Sequence, residues 1–158
     1  MTVPTERPTD RRAARVLLVD AQERVLLLHG SDPGAPERGQ WWFTPGGGLD
    51  EGETPAQAAA RELLEETGLR TAAADLGEPV HERVTEFVFD GGHYRQSEHY
   101  FLLRVDAHEV DTSGPESWVD PGVTGHRWWD RDALRATDEV VFPPELPDVL
   151  DRLLGEGR

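Results

Sequence analysis

Glu62, Glu65 and Glu66 stand at i, i+3 and i+4 in a segment whose pattern predicts a helix, so their carboxylates crowd one flank. They repel one another, and all three lie near the helix C-terminus, where the backbone dipole disfavours anions. A bound cation removes both penalties. Hard oxygen donors of this kind suit Mg²⁺ or Mn²⁺, which also retain waters and bind phosphate oxygens. The chemistry to expect is therefore metal-assisted work on a phosphate. Any one of these glutamates alone reads as a solvated helix face, with Arg61 and Glu65 forming an ordinary i,i+4 pair. The coincidence of the cluster with a glycine-rich turn, Glu53 and a well-delimited helix favours the site.

The helix that must position them has clear ends. Thr54 suits the N-cap, Pro55 the first helical position, and Gln57 three residues on completes a capping box. Gly68 supplies the stop. Ala56, Ala60, Leu63 and Leu64 recur at the spacing of an apolar stripe, which predicts a face packed on a sheet.

Residues 47–69 resemble the Nudix box, G-x5-E-x7-R-E-U-x-E-E-x-G-U with U aliphatic, and meet it at Gly47, Glu53, Arg61, Glu62, Leu63, Glu65, Glu66, Gly68 and Leu69. The preceding Trp41-Trp42-Phe43-Thr44-Pro45-Gly46 resembles the approach to the box in the same family. The resemblance implies an α/β fold, an α/β/α sandwich with a mixed β-sheet. It also implies hydrolysis of a nucleoside diphosphate linked to another moiety, with ADP-ribose and (d)NTPs as leading substrates and Mg²⁺ or Mn²⁺ as cofactor. The metal ligands it implies are Glu62, Glu65 and Glu66, assisted by a backbone carbonyl near Gly46 or Gly47. Arg61 is then a residue that orients a glutamate. Glu53 either supports the loop or metal shell, or is merely an acid ahead of the first helical turn. Many members are homodimers, and the aromatic-rich strands leave room for such an interface. A sensor of the same fold that binds a nucleotide metabolite without cleaving it is the alternative, and the intact glutamate run argues against it.

The resemblance leaves the proton acceptor open, since in the family it varies and often comes from a loop outside the box. The loop ahead of Gly125 offers Glu116 and Asp120, which we favour, while Glu98 lies in a strand and could reach the cleft. For the substrate, Trp42, Trp118, Phe89 and Tyr94 are candidates to stack on a base, and Arg95 with Gln96 to contact phosphate or sugar. Trp128 and Trp129 are adjacent in a strand and must face opposite sides, one of them toward the core. The histidines show no metal-ligand spacing.

Composition bounds the rest. A chain of 158 residues fits one domain with a sizeable core, read as residues 13–155 behind a flexible arm at 1–12. The net charge of −15, from 31 acidic against 16 basic residues, argues against general attraction to a nucleic-acid backbone or an anionic membrane. The expected partner is a small-molecule nucleotide. Without cysteine there is no disulfide framework, thiol nucleophile or thiolate metal site. No apolar run reads as a signal or a span, and a cytoplasmic location is expected.

Strands are expected at 14–20 and 24–29 as a hairpin, then 41–49 extended into the box. A second hairpin should join 81–89 to 93–105 across Asp90-Gly91-Gly92. Residues 107–123 read as a polar loop and 125–129 as a short strand. Helices are expected at 131–136 and 144–154, the latter with Leu146, Val149, Leu150, Leu153 and Leu154 on one stripe.

Overall fold

The computed structural model describes residues 7–117 and 122–155. Its centre is a mixed sheet in the order β5-β6-β1-β2-β3-β8, with β4 added to β1 and β7 to β2. The strands are β1 (Thr9–Val19), β2 (Val25–Ser31), β3 (Gln40–Phe43), β4 (Gly46–Gly48), β5 (His81–Phe89), β6 (Gly92–Arg104), β7 (Val123–Trp129) and β8 (Val141–Phe142). Helix α1 (Pro55–Thr67) covers one face, and α2 (Arg131–Ala136) with α3 (Leu146–Leu154) covers the other. This is the expected α/β/α layering.

Strand parity sorts the core into two layers. Ala14, Val16 and Leu18 of β1 join Leu26, Phe101 and α1 residues Ala58, Ala59 and Leu63 on the α1 face. Leu17 and Val19 join Leu27, Tyr100 and Trp129 under Leu146, Val149 and Leu150 on the α3 face. A period-2 strand buried on both sides reads as the continuous apolar run seen at 16–19. Trp129 and Trp128 divide between the two faces as adjacent strand residues must.

Strand β1 begins at Thr9, inside the segment expected to be a free arm. Residues 9–12 pair in parallel with Tyr94 to Ser97 of β6, and the Arg11 guanidinium sits 5.6 Å over the Tyr94 ring. Their charges hid the strand because they are spent at its open end, where the core has already ended. The extended stretch at 41–49 divides in two: β3 pairs with β2 and β8, whereas β4 pairs with β1. The turn between them, Thr44-Pro45, carries the chain from one half of the sheet to the other. The β5–β6 hairpin closes through Asp90 (φ 47°) and Gly91 (φ 80°), two consecutive left-handed residues that suit the strand twist, with Gly92 already in the ladder.

Helix α1 has the expected ends. Thr54 Oγ1 accepts from the Gln57 amide at 3.2 Å, the Gln57 side chain accepts from the Thr54 amide at 2.9 Å, and Gly68 adopts φ 79°. Its buried face is rotated from the expected stripe: Ala59, Leu63, Glu66 and Thr67 face inward, with Ala56 and Ala60 at the margin. Helix α3 starts at Leu146, two residues later than expected, with Glu145 as its N-cap and Pro147 in the first turn, where a missing amide hydrogen costs nothing. The two-residue β8 lies outside any expectation.

Candidate active site

A short glycine turn and the flank of α1 meet at residues 44–48. The Glu66 carboxylate, buried despite its charge, accepts from the Gly46 amide at 2.8 Å. The Gly46 backbone has φ 143°, and a Cβ there would lie 2.2 Å from the Ala14 carbonyl oxygen. Gly47 is excluded from bearing a side chain for another reason: its Cβ would lie 2.6 Å from Glu62 Oε1. Glycine at these two positions lets the backbone lie directly against two of the three carboxylates.

Arg61 ties the cluster together. Its Nε and Nη2 donate to the two oxygens of Glu53 at 2.7 and 2.9 Å, a bidentate pair, while Nη2 also reaches the Gly48 carbonyl at 3.1 Å. Nη1 donates to Glu62 at 3.0 Å and to Glu65 at 3.4 Å. The expected Arg61 contact with Glu65 is thus the longest of its carboxylate hydrogen bonds. Glu53 accepts in turn from the Asp50 amide at 2.7 Å, so it anchors the loop between turn and helix. Of its two expected alternatives, the geometry matches loop support.

The electrostatics follow from these contacts. The Arg61 hydrogen bond, aided by the Asp50 amide and opposed by partial burial, holds the Glu53 carboxyl below its ordinary range. Glu62 shifts the other way: burial raises it and the Glu65 charge adds to the rise, both outweighing Arg61. Arg61 itself is held above its usual range, chiefly by the Glu53 bond.

Among the described residues, no three or more His, Asp or Glu side chains converge to hold a metal ion as they stand. Glu62 and Glu65 turn toward Arg61, and Glu66 turns toward the Gly46 amide. The donor set nevertheless fits a hard divalent cation, since Glu62 and Glu65 already share one cationic nitrogen and Glu62 rests on the bare Gly47 backbone.

The structure brings together Glu53, Arg61, Glu62, Glu65, Glu66, Gly46 and Gly47, and it separates several others from them. Glu116 is paired with Arg70 at 2.5 Å and lines a shallow hollow with Leu64, Gly68 and Asp111. Leu64 is two residues from both Glu62 and Glu66, which is roughly 200° round the helix, so Glu116 lies on the opposite flank. Asp120 and Trp118 lie outside the described residues. Trp42 is a core residue, stacked on His29 at 4.2 Å and edge-on to Trp129 at 5.1 Å, which removes it as a base platform. Arg95 lies opposite Glu86 on the exposed α1-side face of β6, whereas its neighbours Tyr94 and Gln96 face the α3 side. Tyr94 packs on Phe87 at 5.6 Å, and Phe89 ends β5 on that same face.

A second polar cluster holds Glu98 and Gln96, both named from the sequence for other roles, together with Arg15, Arg83 and Tyr100, which the sequence did not single out. Glu98, nearly fully buried, accepts from Arg15, Arg83, Gln96 and Tyr100 at 3.3, 3.0, 3.0 and 3.2 Å. It lies on the α3 face, and Arg15 Nη1 also donates to the Thr44 carbonyl at 3.3 Å. Glu98 is surrounded by donors rather than placed beside the carboxylates of α1. The available signal was an arginine at an inward position of an otherwise apolar strand.

Residues 9–149 match the family model described as the NUDIX domain. An RNA pyrophosphohydrolase of Agrobacterium fabrum is 31% identical over 159 residues, spanning 90% of this chain and 89% of that protein. Another protein of that name, from Novosphingobium aromaticivorans, is 34% identical and spans 70% of this chain and 78% of its own length. Among solved structures, a MutT protein from Methanosarcina mazei superposes with a TM-score of 0.67 over 94% of this chain and 95% of its own, at 17% identity. That likeness concerns the fold. No helix among the described residues is long and apolar enough to cross a membrane.

Proposed function

The chain belongs to the NUDIX family and is a Nudix hydrolase, and from that premise we propose that it cleaves a phosphoanhydride bond in a nucleotide 5′-polyphosphate. Glu62, Glu65 and Glu66, with a backbone carbonyl at Gly46 or Gly47, would hold Mg²⁺ or Mn²⁺. The observation that carries this reading is the Arg61 clasp, which fastens Glu53, Glu62, Glu65 and the Gly48 carbonyl around one turn. Bound there, the divalent ion would neutralise phosphate charge and lower the pKa of the attacking water.

The protein's own groups do the rest. Glu66 fixes the turn by its bond to the Gly46 amide, and Arg61 orients Glu62 and Glu65. Glu65 keeps the more accessible carboxylate, with 25% side-chain exposure against 14% for Glu62, and accepts the water proton at Oε1. Asp120 is the other acid proposed for that step.

The leading substrate is the triphosphate at the 5′ end of an RNA, which the name of the relatives supports. ADP-ribose and free (d)NTPs come second, favoured by an acidic chain with a net charge of −15. That charge speaks against tracking a nucleic-acid backbone and leaves a phosphorylated end open. Incubating the protein with a 5′-triphosphorylated oligoribonucleotide, dNTPs and ADP-ribose in Mg²⁺ or Mn²⁺ tests this through release of phosphate, pyrophosphate or nucleoside monophosphate. Cleavage of the RNA end foremost is expected. Binding without cleavage of any substrate would overturn the proposal in favour of a sensor.

A further inference from the structure

The cluster around Glu98 lies against the back of the glycine turn, on the face of the sheet opposite α1. Three backbone groups of that turn are held by three different partners. The Thr44 carbonyl accepts from Arg15 Nη1 at 3.3 Å, the Pro45 carbonyl accepts from the Val16 amide at 2.9 Å, and the Gly46 amide donates to Glu66 at 2.8 Å. Two of these partners belong to β1 and α1, which the fold places anyway. Arg15 is different, because a long side chain must itself be held before it can hold anything.

Glu98 does that holding. Arg15 Nε donates to Glu98 Oε2 while Nη1 reaches forward to Thr44, so one planar guanidinium joins β6 to the turn. Burial works against the Arg15 charge, but Glu98, Tyr100 and Glu66 outweigh it and keep the guanidinium above its usual range. The Tyr100 phenol is driven up by burial and by Glu98, so it remains a donor to that carboxylate. Arg83 closes the far side, 3.0 Å from Glu98 and 3.6 Å from Glu145 ahead of α3. A buried ion pair of this sort is weakly stabilising at best, since desolvation costs several kcal/mol per ion, roughly what its partners return. What it does provide is a fixed direction for Arg15.

We propose that Arg15, oriented by Glu98, is a positioning residue that fixes the Thr44–Gly46 turn from behind and so sets the backbone against which Glu62 and Glu66 hold the divalent ion. The inference rests on the metal-holding role proposed above, and its first readout does not need the metal. In Arg15→Met the Thr44 carbonyl loses its donor and the turn loosens. The Gly46 amide should then exchange with solvent roughly 10-fold faster or more, while core amides of β2 keep their protection. Mn²⁺ affinity, followed by electron paramagnetic resonance on the whole chain, should fall about 10- to 100-fold, the usual cost of losing an outer-shell partner. Turnover should fall with it, while KM for the nucleotide changes little.

Arg15→Lys keeps the charge but cannot span Glu98 and Thr44 at once. It should fall between wild type and Arg15→Met, and it carries the test should the methionine variant fail to fold. Unchanged Gly46 exchange and Mn²⁺ affinity in a folded variant would overturn the proposal and leave Arg15 a packing residue. A raised KM with unchanged Gly46 exchange would also overturn it, because Arg15 would then be touching substrate. Should the wild-type protein cleave none of the nucleotides, the proposed function fails while amide exchange still decides the role of Arg15.

Discussion

The two sides of the glycine turn use the same residue types for opposite ends. In front, Glu53, Glu62, Glu65 and Asp50 gather round a single arginine, Arg61, and Glu66 adds a buried carboxylate. Behind, Arg15 and Arg83 meet Glu98 and Glu145, two charges of each sign. The front carries unbalanced negative charge and calls for a cation. The rear is balanced by its own members and calls for none. Carboxylates close to a turn therefore do not by themselves mark a ligand site; the surplus left after the arginines are counted does.

Removing one charge from each side should separate the two roles most sharply. Glu62→Gln should lower turnover roughly 10²-fold or more, beyond what losing an outer-shell partner costs. Its melting temperature should hold or rise, because the lost carboxylate is one that burial and Glu65 already disfavour. Glu98→Leu should cost stability foremost, lowering turnover only as far as Arg15 loses its hold on the turn. It leaves two guanidiniums without their shared partner, and chemical denaturation should show a loss of roughly 3–5 kcal/mol. A stable Glu98→Leu protein, or a Glu62→Gln protein that loses stability but keeps its turnover, would break the comparison.

Arg61→Lys probes the front alone. A lysine can satisfy Glu53 or the Glu62 and Glu65 pair but lacks the fork that serves both, so turnover should fall about 10- to 100-fold. If the loss came entirely as a higher KM with Mn²⁺ affinity unchanged, Arg61 would be a substrate contact rather than a clasp.

The front was legible in the sequence because it is local. Capping box, carboxylate spacing and glycine stop all lie within residues 47–69, and helix periodicity alone puts Glu62, Glu65 and Glu66 together. The rear joins β1, β5 and β6, with Arg15 and Glu98 separated by 83 positions. Nothing in the spacing of Arg15 announces that partner, because the parallel β1–β6 register that creates it is a property of the sheet. The same gap hid the burial of Trp42: strand parity was readable, but not which face would be covered.

A smaller effect is expected in acid. The native Glu53 carboxyl lies below its ordinary value of 4.5, so its contribution to stability is present above that value and fades as pH falls through the lower native one. Glu62 has the opposite sign, its native carboxyl favouring the proton, so its contribution is full below 4.5 and is lost as pH rises through its higher native value. Comparing Glu53→Gln with wild type between pH 5 and about pH 3 by thermal melts should therefore show a shallower acid loss in the variant. A steeper loss would mean that Arg61 finds another partner in acid.

The smallest effect should come from Glu116, and it bears on where the proton goes. Its hydrogen bond to Arg70 is exposed, and its place beside Leu64 puts it on the flank of α1 away from Glu62 and Glu66. An exposed pair of this kind contributes little, so Glu116→Gln should leave turnover within about twofold of wild type and the melting curve unmoved. Glu65→Gln should meanwhile lower turnover far more than Glu116→Gln, since Glu65 is the group proposed to take the proton. A large loss in Glu116→Gln would mean that the loop crosses to the other flank of α1 when substrate binds. The proton acceptor would then belong to the loop, and the front cluster would be left with metal binding alone.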